Sequence, residues 1–189
     1  MDILLLNGGG LDTLAAAMKL QAEGNTVHSL HVICDMPAAA KIQAAAAAIA
    51  AEYCASHKEV TLSGLAPWGI REKNPFTTRF FSIPQAQIVF SCIAASHALK
   101  EGITAIANGV KDREPYGALF EPAITELHGM NRNGFGTPVT FQRPLDGLQM
   151  ADVLEIIKDS PILHQTVSCL QDPPCGTCGK CKIRASQNI

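Results

Sequence analysis

The chain has 189 residues, of which 47% are hydrophobic and 17% charged, with a formal net charge of -2. That length is natural for one domain with a real core, and the charge gives no electrostatic reason to expect a nucleic-acid partner. No apolar run reaches the roughly 18–20 residues of a membrane helix, and the N-terminus has no basic stretch before its short apolar run. The expectation is therefore a cytoplasmic protein with no membrane partner, in which seven cysteines serve as metal ligands or core residues rather than disulfides.

The run Ile3 to Leu6 reads as a strand buried on both faces. It stops at Asn7-Gly8-Gly9-Gly10, and Leu11 to Ala22 then has the composition of a helix. Thr26 to Cys34 is β-branched and apolar, a second strand. Pro37 stands where a first helical turn tolerates it, and the alanine-rich stretch from Ala38 to Cys54 follows as a long helix, with Ile42, Ile49 and Tyr53 as its buried stripe. Glu59 to Leu62 is a short third strand, and Ser63 to Pro84 an irregular loop. Ala86 to Lys100 is helical, and Thr104 to Val110 is a fourth strand leading into Lys111-Asp112-Arg113. Tyr116 to Met130 is expected to be helical, the segment TPVTFQRPL extended, and Met150 to Lys158 helical again. Alternating strands and helices predict an α/β protein with a parallel sheet covered on both faces, whose ligands sit beyond the C-terminal strand ends.

Cys34, Cys54 and Cys92 lie in apolar surroundings and read as core. The other four, Cys169, Cys175, Cys178 and Cys181, form a C-x5-C-x2-C-x2-C pattern. Four thiolates so close can enclose a tetrahedral Zn²⁺, with Lys180, Lys182 and Arg184 offsetting part of the negative charge. An iron–sulfur cluster is the other group the spacing admits. With every position filled by protein the metal is structural. The six histidines show no ligand-spaced pair and read as core or surface residues, and MNRNGFGTP reads as a turn.

Three glycines after a strand are either a tight turn or a loop that lets a polyphosphate approach backbone N–H groups. A helix starting near Leu11 would add its N-terminal N–H groups and about half a positive charge. Thr13 can then hydrogen-bond a phosphate oxygen, and Asp12 can orient the loop or hold Mg²⁺.

Taken together, the two ends resemble the 7-cyano-7-deazaguanine synthases, a family of N-type ATP pyrophosphatases in the PP-loop superfamily. The strand followed by Gly8-Gly9-Gly10-Leu11-Asp12-Thr13 is similar to that family's strand and S-G-G-x-D-S loop. Ser168-Cys169, then Cys175-Gly176-Thr177-Cys178-Gly179-Lys180-Cys181 and Arg184, resemble its cysteine motif, with a shorter spacer. IANGVKDREPYG and RPLDGLQMADVLEI resemble its middle segments more loosely. The resemblance implies an adenine nucleotide alpha hydrolase-like, Rossmann-like fold over residues 1–189, with a zinc-binding segment at 165–189. It implies ATP, Mg²⁺ and structural Zn²⁺ as cofactors, and an ATP-dependent ligase joining 7-carboxy-7-deazaguanine to ammonia through an adenylated intermediate. Leu6, Asn7, Gly8, Gly9, Gly10, Leu11, Asp12 and Thr13 would bind ATP. Asp12, Thr13 and Lys111 would be catalytic, and Asp112, Arg113 and Tyr116 would bind substrate.

The chain departs from the pattern at three places. Gly8 replaces the first loop Ser, Met150 stands where the family has a Lys, and CDMPAAAKIQ takes the place of its G-Q-R-H-like segment. Lys111, Arg113 and Arg143 are the cations that can compensate. The rival readings are an ATP pyrophosphatase with another acceptor, a nucleotide-binding homologue without turnover, and a zinc-dependent nucleic-acid module. Small molecules are the expected partners, with a homodimer plausible for an alanine-rich domain.

Overall fold

The computed structural model describes residues 1–64, 86–111 and 139–189. Five strands, β1 (Asp2–Leu6), β2 (Thr26–Cys34), β3 (Ser56–Leu62), β4 (Ala105–Ala107) and β5 (Thr140–Gln142), form one sheet in the order β3-β2-β1-β4-β5. Every pairing is parallel. The helices are α1 (Leu11–Ala22), α2 (Ala39–Tyr53), α3 (Ala86–Lys100), α4 (Met150–Ile157) and α5 (Gly179–Ser186).

The central strand explains the unbroken apolar run at the N-terminus. Ile3 and Leu5 point to one face and Leu4 to the other, and all three are buried. On the first face they join Leu14 and Leu20 of α1, Ile49 of α2, and Val153 and Ile157 of α4. On the second, Leu4, Leu30 and Ile106 meet Ala94, Ala95 and Ala98 of α3. The i, i+3, i+4, i+7 stripe of Ser91, Ala94, Ala95 and Ala98 turns Cys92 outward. Cys92 is exposed, which corrects its reading as a core residue. Cys34 is buried and Cys54 packs against the first core, and burial pushes the Cys54 thiol up to about 12.

The described elements otherwise follow the sequence closely, with three corrections. β3 starts at Ser56, earlier than Glu59, because its pairing with β2 from His28 to Cys34 recruits the polar residues Ser56, His57 and Lys58. β4 stops at Ala107, well short of Val110, because the Asn108 side chain accepts the Val110 N–H (3.1 Å) and turns the chain away from the ladder. Pro37 precedes the α2 N-cap, Ala38, and so lies outside the helix. The expected helix from Tyr116 to Met130, the MNRNGFGTP turn and most of the 63–84 loop lie outside the described residues. Among the described residues no helix is long and apolar enough to cross a membrane.

Candidate functional site

The chain leaves β1 for β2 on one side, and after β3 it returns to β4 on the other. The ends of β1 and β4 therefore flank the point where the winding reverses, the place where such sheets form a ligand crevice. Asn7 closes β1 and anchors the glycine loop behind it. Its buried amide donates to Ser29 Oγ (2.9 Å) and to the Ala46 carbonyl of α2 (2.8 Å), while its Oδ1 accepts the Gly9 N–H (3.0 Å). The Asn7 carbonyl meets His31 Nδ1 at 2.7 Å, and His57 Nδ1 meets Ser29 Oγ at 2.9 Å. Burial lowers the affinity of His31 for a proton. These two histidines support the loop from beneath.

The glycines are demanded by sterics at two positions. Gly9 has φ +69°, and a Cβ there would stand 2.7 Å from the Ile42 carbonyl. A Cβ on Gly109, beyond β4, would stand 2.7 Å from the Asp12 carbonyl. The small residues of α2 and the glycine after β4 thus let three backbones converge around the start of α1. Gly10 is the α1 N-cap and provides no side-chain cap, and a helix N-terminus of this kind is a place where an anion can bind. Thr13 Oγ1 accepts the Gly8 N–H at 3.3 Å, shaping the loop.

Asp12 lies in that first turn with a side chain only 15% exposed. Lys111, from the segment after β4, donates to Oδ1 at 2.9 Å. Lys180, from the first turn of α5, donates to Oδ2 at 2.5 Å. Burial works to raise the Asp12 carboxyl, but Lys180 and then Lys111 outweigh it and hold the group below its ordinary value of 3.8. With an ammonium on each oxygen, Asp12 acts as a clamp between α1, the segment after β4 and α5.

The C-terminal segment comes to the loop directly. The Val167 N–H donates to the Gly9 carbonyl (2.8 Å) and the Ala38 N–H to the Leu170 carbonyl (3.3 Å), while Lys41 pairs with Asp172. Just beyond, the sulfurs of Cys169, Cys175, Cys178 and Cys181 all lie within 4.8 Å of one another. The Cys169–Cys175 and Cys175–Cys181 separations are 3.7 and 4.0 Å. Four sulfurs at about 2.3 Å from one tetrahedral ion would stand about 3.8 Å apart. The donor set therefore fits a single ion. Backbone N–H groups aim at the sulfurs too: Cys175 N–H at Cys169 Sγ and Cys181 N–H at Cys178 Sγ, each 3.4 Å. Arg184 donates to Thr166 Oγ1 (2.8 Å), fastening α5 to the preceding segment.

Of the residues singled out in the sequence, Gly8, Gly9, Gly10, Asp12, Thr13 and Lys111 come together around the start of α1 and the four cysteines in one cluster, whereas the Leu11 side chain is buried in the first core and Leu6 packs on the second. The Asn7 side chain supports the loop from below. Asp112, Arg113 and Tyr116 lie outside the described residues. Arg143 is held near its own turn by Asp146 (3.3 Å), and Met150 packs on the first core. Lys180 was legible only as a charge near the cysteines; its reach to Asp12, 168 residues earlier, has no local signal.

A family model described as queuosine biosynthesis protein QueC matches residues 2–187. The chain belongs to this family. Among curated members, the 7-cyano-7-deazaguanine synthase of Nautilia profundicola is 32% identical over 109 residues, covering 54% of this chain and 49% of that protein. The synthase of Campylobacter fetus subsp. fetus is 30% identical over 122 residues, covering 61% of this chain and 53% of that protein. The matched regions thus span about half the length of these curated QueC-family relatives. A 4-thiouridine synthetase solved as an RNA complex with bound ATP superposes with a TM-score of 0.61 at 17% identity, covering 99% of this chain and 49% of that one. That likeness shows the fold this QueC-family chain shares with it.

Proposed function

We propose that this chain uses ATP to convert 7-carboxy-7-deazaguanine and ammonia into 7-cyano-7-deazaguanine, releasing AMP and pyrophosphate. The observation that carries the reading is the convergence, at the β1/β4 crevice, of an uncapped α1 N-terminus, the glycine loop and Lys111. Membership of the QueC family and the names of its two relatives supply the substrate.

A carboxylate is a poor electrophile because its oxygen is a poor leaving group. Attack of that oxygen on the α-phosphorus of ATP expels pyrophosphate and makes an acyl adenylate. Ammonia then attacks the acyl carbon, AMP departs with the former carboxylate oxygen, and a proton is lost to give the amide. A second ATP activates the amide oxygen in the same way, with pyrophosphate leaving, and departure of AMP with that oxygen together with loss of both nitrogen protons leaves the nitrile. The loop N–H groups and the α1 end would hold the phosphates, and the Thr13 hydroxyl would donate its own proton to a phosphate oxygen. Lys111, held by Asp12, would offset charge developing at the α-phosphate. Mg²⁺ would arrive with ATP. Asp112, Arg113 and Tyr116 would meet the deazaguanine base. Zinc would close the four-cysteine site, where the sulfur spacing suits one ion better than a multi-iron cluster that assigns each thiolate to a different iron.

The test is product analysis with zinc-loaded protein, ATP, Mg²⁺, ammonium and 7-carboxy-7-deazaguanine. AMP, pyrophosphate and the nitrile are expected. AMP without nitrile would overturn the acceptor and keep the ATP chemistry, and absence of AMP from protein that binds ATP would favour a non-catalytic relative. Gly8, lacking the family's loop hydroxyl, is the residue that favours that second reading.

A further inference from the structure

Lys180 sits in the two-residue spacer between Cys178 and Cys181, yet its ammonium reaches the first turn of α1. We propose that Lys180 is a phosphate-facing cation of the crevice, delivered by the metal knuckle, so that metal occupancy of the four-cysteine site sets the affinity for nucleotide phosphates. The proposal rests on the reading of the glycine loop as an ATP site.

Three observations carry it. Lys111 and Lys180 both bring their ammonium groups to Asp12 in the first turn of α1, beside the uncapped helix end whose own dipole favours an anion. The two lysines also differ in exposure. The Lys111 side chain is 10% exposed and grips Asp12 from within, while that of Lys180 is 42% exposed and accessible to an incoming phosphate. Lys111 would then continue to hold Asp12 in place. Finally, the backbone that carries Lys180 is defined by ligand sulfurs: Cys178 is the α5 N-cap, and its Sγ accepts the Cys181 N–H. An ion that draws the four sulfurs together therefore fixes where Lys180 starts from, whereas separated sulfurs release it.

Calorimetric titration of Mg-ATP into the zinc-loaded full chain tests this, with metal content measured on every sample. Lys180→Gln is expected to weaken ATP about tenfold or more, the usual worth of a charge-assisted contact, while retaining its metal. Lys180→Arg is expected to stay within a few-fold of the parent. Chelated parent protein whose circular dichroism shows an intact sheet should lose at least as much affinity as the Gln variant. Lys180→Ser decides the matter should the Gln variant shed its metal. Parent-like ATP affinity in a metal-replete neutral variant overturns the proposal, and so does metal loss in both neutral variants, which would make Lys180 structural. A parent protein that binds no ATP is a different failure, that of the nucleotide reading itself.

Discussion

Asp12 joins three parts of the chain through one carboxylate: α1, the segment after β4, and the metal knuckle. Its proton affinity is set by a contest in which burial favours the neutral acid and the two lysines favour the anion, and the lysines prevail. A carboxylate held below its unfolded value contributes stability above that value and gives it up as pH falls through the folded one. Asp12→Asn should therefore be less stable than the parent at neutral pH, with the gap closing as pH drops below about 4. Urea unfolding at a series of pH values checks this, and parallel curves would contradict it. The glycines, Asp12, Thr13 and the cysteines were legible because each belongs to a local motif whose chemistry depends on spacing. Lys180 and the Asn7–Ser29–His57 support were not. Their partners are set by tertiary packing, and a histidine that props a loop looks in sequence like any buried histidine.

Among the elements, helices were read more accurately than strand ends. Leu11–Ala22 and Ala86–Lys100 coincide with the expected ranges, since glycines and helix-forming composition bound them locally. Strand limits depend on partners: the β2 ladder extends β3, and the Asn108 turn shortens β4. α4 shows how a short element can hold the site at a distance. Gln149 and Asp152 form a capping box at its start, and the fully buried Val153 and Ile157 join the α1 side chains in one core. Ile157→Ala should cost about 2–5 kcal/mol, measured by denaturant unfolding, because the cavity would open beneath the helix that carries the loop. A loss well under 1 kcal/mol would show that α4 collapses onto α1 without strain.

In the molecule taken entire, the two ends of the chain build one site. The parallel order β3-β2-β1-β4-β5 places the β1 loop and the β4 exit side by side, and the C-terminal segment returns to bond Gly9 and α2 before the cysteines converge. The parallel α/β class, the crevice and the four-cysteine cluster were all legible in sequence, because periodicity and ligand spacing report on class and metal chemistry. That the cluster also presents a cation to the loop was not legible, since only the fold brings the ends together. Activation of a carboxylate by adenylation is the chemistry on which the proposed role of this crevice depends. Turnover of 7-carboxy-7-deazaguanine labelled with ¹⁸O at both carboxylate oxygens tests it by following the oxygens themselves. Mass spectrometry should find one ¹⁸O in each of the two AMP molecules formed per nitrile, and unlabelled pyrophosphate. Unlabelled AMP, or label appearing in inorganic phosphate, would contradict it.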